Sequence, residues 1–181
     1  SMPNAIGAGI VVNNATVEQI NIVNSGSITS AMSMFDSCKS LQSVPLFDTS
    51  LVTNMSCMFQ YCYSLQSVPL FDTSSVTNIN YMFYFCKSLR EVPAFNFSNV
   101  YSSWYPFSYC DRLTRILITG IGPHAGGYLG VNSCNLSFAA LNEFYTNLGS
   151  TTYGNIDVGG NYGASLDDPS IATAKGWTVY G

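Results

Sequence analysis

Met34-Phe35 returns as Met58-Phe59 and again as Met82-Phe83, and Cys38 returns as Cys62, Cys86 and Cys110, always 24 residues on without insertion or deletion. Around them, Ser40-Leu41-Gln42-Ser43-Val44-Pro45 comes back as Ser64-Leu65-Gln66-Ser67-Val68-Pro69, then more loosely as Ser88-Leu89-Arg90-Glu91-Val92-Pro93. No other feature restricts the fold as much. A unit of this length is too small to enclose a core of its own. Each must bury its apolar face against its neighbours, so the chain is expected to be a solenoid. Four such units fill residues 28–120.

Each unit divides in two. In the first half, Ala31, Met34, Phe35 and Cys38 fall at i, i+3, i+4 and i+7, the spacing of one helix face. Met55, Met58, Phe59 and Cys62 repeat it, as do Ile79, Met82, Phe83 and Cys86, with Ser30, Asn54 and Asn78 placed as N-caps. The expectation is a short helix of about eight residues, stable only when packed. The second half reads as extended. Leu41, Val44 and Leu46 are expected to face inward, with Ser43, Pro45 and Phe47 on the other side. The same frame gives Leu65, Val68 and Leu70, then Leu89, Val92 and Ala94, then Leu113, Ile116 and Ile118. Proline lacks the N–H that a central ladder uses, so pairing is expected only along the few residues before Pro45, Pro69 and Pro93. Asp48-Thr49-Ser50 and Asp72-Thr73-Ser74 then supply Asx-type turns.

The string M-F-x-x-C-x-S-L-x-x-V-P-x-F-D-T-S-x-V-T-N-M, spread over about residues 28 to 120, resembles the BspA-like, DUF285-type repeats of bacterial surface proteins and phage tail proteins. Its L-x-x-V-x-L core with a Cys three residues upstream is similar to a leucine-rich repeat. The resemblance implies one α/β domain: a leucine-rich-repeat-like right-handed solenoid of short helices and parallel strands, acting as an adhesion or recognition surface and not as an enzyme.

The solenoid needs ends. Ser1-Met2 reads as a scar of tag removal, and residues 3–27 as an N-terminal cap with a strand over 5–12. Residues 121–181 read as a C-terminal cap of two helix–strand units. Asn135 or Ser137 can cap a helix over 138–148, with Phe138, Leu141, Phe144, Tyr145 and Leu148 as its apolar stripe. Ile156-Asp157-Val158 reads as a strand. Asp168-Pro169 opens a short helix that Gly176 closes, and Trp177-Thr178-Val179-Tyr180 reads as the last strand. The stretch from Leu141 to Gly181 also resembles the C-terminal part of phage tail and fibre proteins. That likeness implies a fibre tip, and a homotrimer joined through a shaft outside this sequence.

Composition narrows the function. Only 9% of residues are charged, against about 25% in ordinary soluble domains, and the net charge is −4. The cations Lys39, Lys87, Arg90, Arg112, Arg115 and Lys175 are scattered, so no nucleic-acid footprint is expected. No apolar run reaches the ~20 residues of a membrane span, and no membrane insertion is expected. Catalysis finds little to use. The one imidazole, His124, sits in a glycine-rich loop, and no G-x-S-x-G is present. Asp48 and Asp72 repeat as turn formers, Asp167-Asp168 reads as a cap, and Asp36 stands apart. Gly159-Gly160-Asn161-Tyr162-Gly163 lacks the P-loop frame. Cys38, Cys62, Cys86 and Cys110 should stack at roughly the 4.8 Å strand spacing as structural free thiols, with Cys134 in phase beyond them. No C-x-x-C pair offers a metal site. Neither catalytic residues nor a cofactor or metal are expected. Sequons begin at Asn14, Asn54, Asn96 and Asn135, two of them inside the repeat machinery, which argues against glycosylation.

The fourth unit breaks the pattern. Val100 and Phe107 keep phase, but Pro106 replaces the Met, Ser103 replaces an inward apolar residue, and Trp104-Tyr105 appears. Proline there is expected to disturb the helix. Phe97, Tyr101, Trp104, Tyr105 and Tyr128 fall around this unit and on one expected rim. They either face outward, where they suit sugar rings or a protein partner, or pack inward to fill the space the Met leaves. A second candidate surface is the strand face, with Ser43, Ser67, Glu91 and Arg115 in one column and Phe47, Phe71 and Phe95 in another. The expected function is a non-enzymatic adhesion module that binds a cell-surface glycan or envelope protein. It belongs outside the cell, on a cell surface or a virion fibre. A structural spacer and a polysaccharide hydrolase are the rivals.

Overall fold

The computed structural model describes residues 28–121 and 128–181. The expected N-terminal cap over 3–27 and the loop carrying His124 lie outside the described residues. The chain is α/β, with parallel strands, few helices and no closed sheet among the described residues. Strand β1 (Glu91–Val92) pairs in parallel with β2 (Arg115–Ile116), with Glu91 opposite Arg115. Strands β3 (Tyr128–Gly130), β4 (Gly154–Asp157) and β5 (Trp177–Tyr180) form a second parallel sheet in that order. Helix α1 (Phe138–Asn147) and the short α2 (Ser170–Thr173) lie among them. Parallel bridges join Ser30 to Asn54, Asn54 to Asn78 and Asn78 to Ser102, so segments one period apart lie side by side.

The segments expected to be helices beginning at 31, 55 and 79 are not helical. The N–H groups of Ala31, Ser33, Phe35 and Ser37 donate to the carbonyls of Asn54, Ser56, Met58 and Gln60 at 2.8–2.9 Å. Those of Met34, Asp36 and Cys38 close tight turns onto Ala31, Ser33 and Phe35 at 3.1–3.2 Å. The result is a ribbon of turns in which alternate residues bond the neighbouring segment. Ser33 and Ser37 adopt φ of 53° and 60°, and Cys57, Tyr61, Tyr81, Phe85, Tyr105 and Tyr109 do the same further on. A left-handed residue every fourth position is incompatible with an α-helix. Each such residue costs on the order of 1–2 kcal/mol, offset by the bonds between segments. The apolar spacing reports correctly which side chains turn inward, since Ala31, Met34, Phe35 and Cys38 are all buried. It does not report where the backbone finds its partners. Phe35, Phe59, Phe83 and Phe107 stack at 5.3, 5.4 and 6.1 Å through the core.

The second halves differ from expectation at one point. Leu41 and Val44 are buried, but Leu46 and Leu70 are 67% and 60% exposed and Ala94 is exposed, while Phe47, Phe71 and Phe95 are inside. The Phe71 and Phe95 N–H groups bond back to the carbonyls of Pro69 and Pro93 at 3.0 and 2.7 Å. This three-residue γ-turn shifts the inward–outward alternation by one position. The fourth unit has Leu117 where the others have proline. There the ladder continues, with Leu117 bonded to Val92 and Thr119 to Phe95, and Ile118 is buried as expected. The phenylalanine column is therefore core, with Phe47 tilted against Phe71 at 5.0 Å and Phe71 stacked on Phe95 at 6.2 Å, and offers no exposed apolar strip.

Pro106 does not disturb the ribbon. It occupies the position of Met58 and Met82, whose N–H only closes a local turn, so its missing donor leaves the bonds between segments intact. Phe83 still donates to the Pro106 carbonyl at 2.8 Å. Beyond, Ser137 caps α1 by accepting the Ala140 N–H at 3.2 Å. Leu141, Phe144, Tyr145 and Leu148 are buried, whereas Phe138 is 50% exposed at the helix start. Asp168 accepts the Ser170 N–H at 3.0 Å, and α2 begins at Ser170. Gly176, at φ 87°, ends the turn, and a Cβ there would strike the Thr151 carbonyl.

Candidate binding face

The left-handed positions of the ribbon are half-buried, so their side chains reach solvent. Down one column they run Ser33, Cys57, Tyr81 and Tyr105, and down another Ser37, Tyr61, Phe85 and Tyr109. The inward residues barely change from unit to unit, while these outer ones pass from small and polar to aromatic. In the third and fourth units they form continuous rows. Tyr81 and Tyr105 stack at 6.1 Å, Tyr105 and Tyr128 lie 5.2 Å apart, and Tyr128 and Tyr180 stack at 6.2 Å. In the second row Tyr61 meets Phe85 at 5.6 Å and Phe85 stacks on Tyr109 at 4.6 Å. Tyr84 stands edge-on to Tyr81, Phe85 and Tyr109 and joins the rows. The Lys87 ammonium lies over the Phe85 ring, 5.7 Å from its centre.

Trp104 projects beside Tyr105, with ring centres 6.4 Å apart, and is 45% exposed. Its backbone is fixed on both sides. The Asn80 Oδ1 accepts the Trp104 N–H at 2.7 Å and the Ser102 hydroxyl at 3.0 Å, and the Trp104 carbonyl accepts the Tyr81 N–H at 2.8 Å. Gly130 makes room for the row. A Cβ on it would meet the Tyr105 ring at 2.7 Å and the Ser108 hydroxyl closer still. Burial pushes the phenols of Tyr84 and Tyr128 above their ordinary range, the latter helped by the Asp157 carboxylate.

The structure thus brings together three of the residues expected at a site: Trp104, Tyr105 and Tyr128. Phe97 is buried against Phe95 at 5.7 Å and is not available to a ligand. It stands in the column of Thr49 and Thr73, whose buried hydroxyls donate to the carbonyls of Asp72 and Asn96. Tyr101 is 58% exposed but shares no ring contact with the rows. Glu91 and Arg115 are exposed on the strand side, and Arg115 is engaged by Glu143 through two bonds of 2.9 and 2.7 Å that tie β2 to α1. Sequence reading missed Tyr81, Tyr84, Phe85, Tyr109 and Tyr180. The signal was present in the columns that vary while the scaffold repeats.

The cysteines serve the interior. Cys62, Cys86, Cys110 and Cys134 donate their S–H to the carbonyls of Phe35, Phe59, Phe83 and Phe107 at 3.0–3.1 Å. All are free and buried, and burial pushes the Cys62, Cys86 and Cys110 thiols far up, away from the reactive thiolate. Cys134 joins the column although its surrounding sequence has left the repeat. The carboxylates considered for chemistry are also occupied. Asp48 and Asp72 accept from Ser50 and Ser74, and Asp167 accepts from the Tyr145 hydroxyl. Among the described residues no helix is long and apolar enough to cross a membrane.

The chain belongs to the family described as Mycoplasma protein of unknown function, DUF285, which matches residues 8–119. No curated protein and no solved structure matches it.

Proposed function

We propose that this chain is a non-enzymatic binding module: a solenoid of 24-residue, leucine-rich-repeat-like units that presents its aromatic rows to a cell-surface glycan or an envelope protein. The observation that carries this reading is the contiguous row of Tyr81, Tyr105, Tyr128 and Tyr180 flanked by exposed Trp104. Tyrosine and tryptophan supply rigid contact area with a polar tip, the chemistry that recognition surfaces favour. The low charge of the chain leaves hydrogen bonding and stacking as its means of recognition. Such a module fits the outer end of a longer surface or fibre protein, outside the cell, with a trimeric shaft as its carrier.

A screen of glycans and whole bacterial or host cells tests the proposal. The chain is expected to bind, and Trp104→Ala is expected to abolish binding with folding intact. Absence of binding to every surface would favour a structural spacer, and release of reducing sugar would favour a hydrolase.

A further inference from the structure

Strand β5 has β4 on one side and, among the described residues, no strand on the other. The Tyr180 carbonyl accepts the Val158 N–H at 2.8 Å. Backbone groups alternate along a strand, so the N–H and C=O of Val179 point away from β4, out of the open edge. Exposed edges are ordinarily guarded by a charged side chain, a proline or a bulge. Strand β5 reads Trp-Thr-Val-Tyr and pairs with β4 residue for residue, so it carries none of the three. Lys175, two residues before the strand, does not guard it either. Its ammonium is held by the carbonyls of Tyr145, Thr146 and Leu148.

We infer that β5 pairs antiparallel with the β5 of a second copy of this chain, across a two-fold axis at Val179. What selects a second copy is how the strand meets its own reverse. Trp177 is buried and Val179 half-buried on the inner face, while Thr178 and Tyr180 are exposed on the outer one. An axis at Val179 sets Val179 against Val179 at the rim of the core, with each N–H donating to the other's carbonyl. Outside, Thr178 stands opposite Tyr180, a β-branched residue against an aromatic, which is a favourable cross-strand pair. No charge meets a like charge. The two Tyr180 rings fall on the diagonal, roughly 7–8 Å apart and within aromatic reach. The row that stacks Tyr180 on Tyr128 therefore runs on into the row of the second copy. A foreign strand finds the same backbone groups without this matching of faces, and an isologous contact closes at two copies. The inference is independent of the binding reading, since a single chain keeps its aromatic rows.

Sedimentation over a range of protein concentrations is the first test, and a species of twice the 19.6 kDa chain mass is expected. Val179→Pro removes only the N–H that faces the edge, a place where strands tolerate proline. It deletes both bonds at the axis and is expected to weaken association at least about tenfold, with the far-ultraviolet circular dichroism unchanged. The register has its own test. Thr178 and Tyr180 of the two copies form a non-hydrogen-bonded pair, with Cα atoms about 4.5 Å apart, within disulfide reach. The double variant Thr178→Cys, Tyr180→Cys is expected to give a covalent dimer on mild oxidation with diamide. The wild type, whose cysteines are buried or half-buried, is expected to give none. A single species of one chain's mass at every concentration, a dimer undiminished in Val179→Pro, or a folded double-cysteine variant that does not cross-link would overturn the inference.

Discussion

Gly130 and Asn80 show how single residues set the outer face. Gly130 carries no Cβ, and the Tyr105 ring and backbone occupy the space one would need, with the Tyr105 Cα only 3.0 Å from that position. Gly130→Ala must therefore displace Tyr105. The expected loss is about 1–3 kcal/mol of stability, with a change in the near-ultraviolet circular dichroism of the tyrosines. An unchanged spectrum would contradict the packing described. The thiols give a second prediction at this scale. Of the six cysteines, five are buried and Cys57 is half-buried. Ellman's reagent is expected to modify Cys57 slowly in the native protein and the others only on unfolding.

At the scale of elements, the ends are held by polar clasps. The Lys175 ammonium donates to the carbonyls of Tyr145, Thr146 and Leu148 at 3.1, 2.5 and 2.9 Å, at the end of α1, where helix carbonyls run out of intrahelical partners. Lys175→Met is expected to cost about 1–2 kcal/mol in urea unfolding. Arg115 holds the Glu143 carboxyl below its ordinary range through their hydrogen bonds. Because the folded value is depressed, the contribution of Glu143 is present above the unfolded carboxylate pKa and is lost as pH falls through the folded one. The acid limb of a stability–pH curve should be shallower in Glu143→Gln, and more so at low salt, since both groups face solvent. Element identity was only half legible in the sequence. The spacing of Ala31, Met34, Phe35 and Cys38 named the inward side chains, yet a helix and a ribbon of turns share that spacing. What separates them is a bond such as Ala31 to Asn54, which local pattern does not encode. Leu70 and Phe71 were misassigned because the γ-turn after proline shifts the alternation, and Ile118 was placed correctly where proline is absent. Ser137, Asp168 and the strand at Trp177 were readable because capping and turn chemistry are local.

Across the whole molecule, constancy and variation divide the labour. Core positions repeat as Met, Phe and Cys, and the outer columns change from Ser33 to Tyr105 and from Ser37 to Tyr109. Burying each of the repeated large side chains contributes roughly 1.5–3 kcal/mol, so the scaffold tolerates almost any outer residue that accepts the left-handed conformation. The candidate site was legible at Trp104 and Tyr105, where the repeat is interrupted, and at Tyr128 just beyond it. Tyr81 and Tyr84, inside a faithful unit, passed as scaffold. Serine already occupies the left-handed position at Ser33, so replacing Tyr81 and Tyr105 together by serine should leave the ribbon intact. The decisive measurement is cell-surface and glycan binding of that double variant beside the wild type, with amide hydrogen exchange as the control for folding. Wild-type exchange protection with binding lost is expected, and undiminished binding would contradict the role given to the tyrosine row.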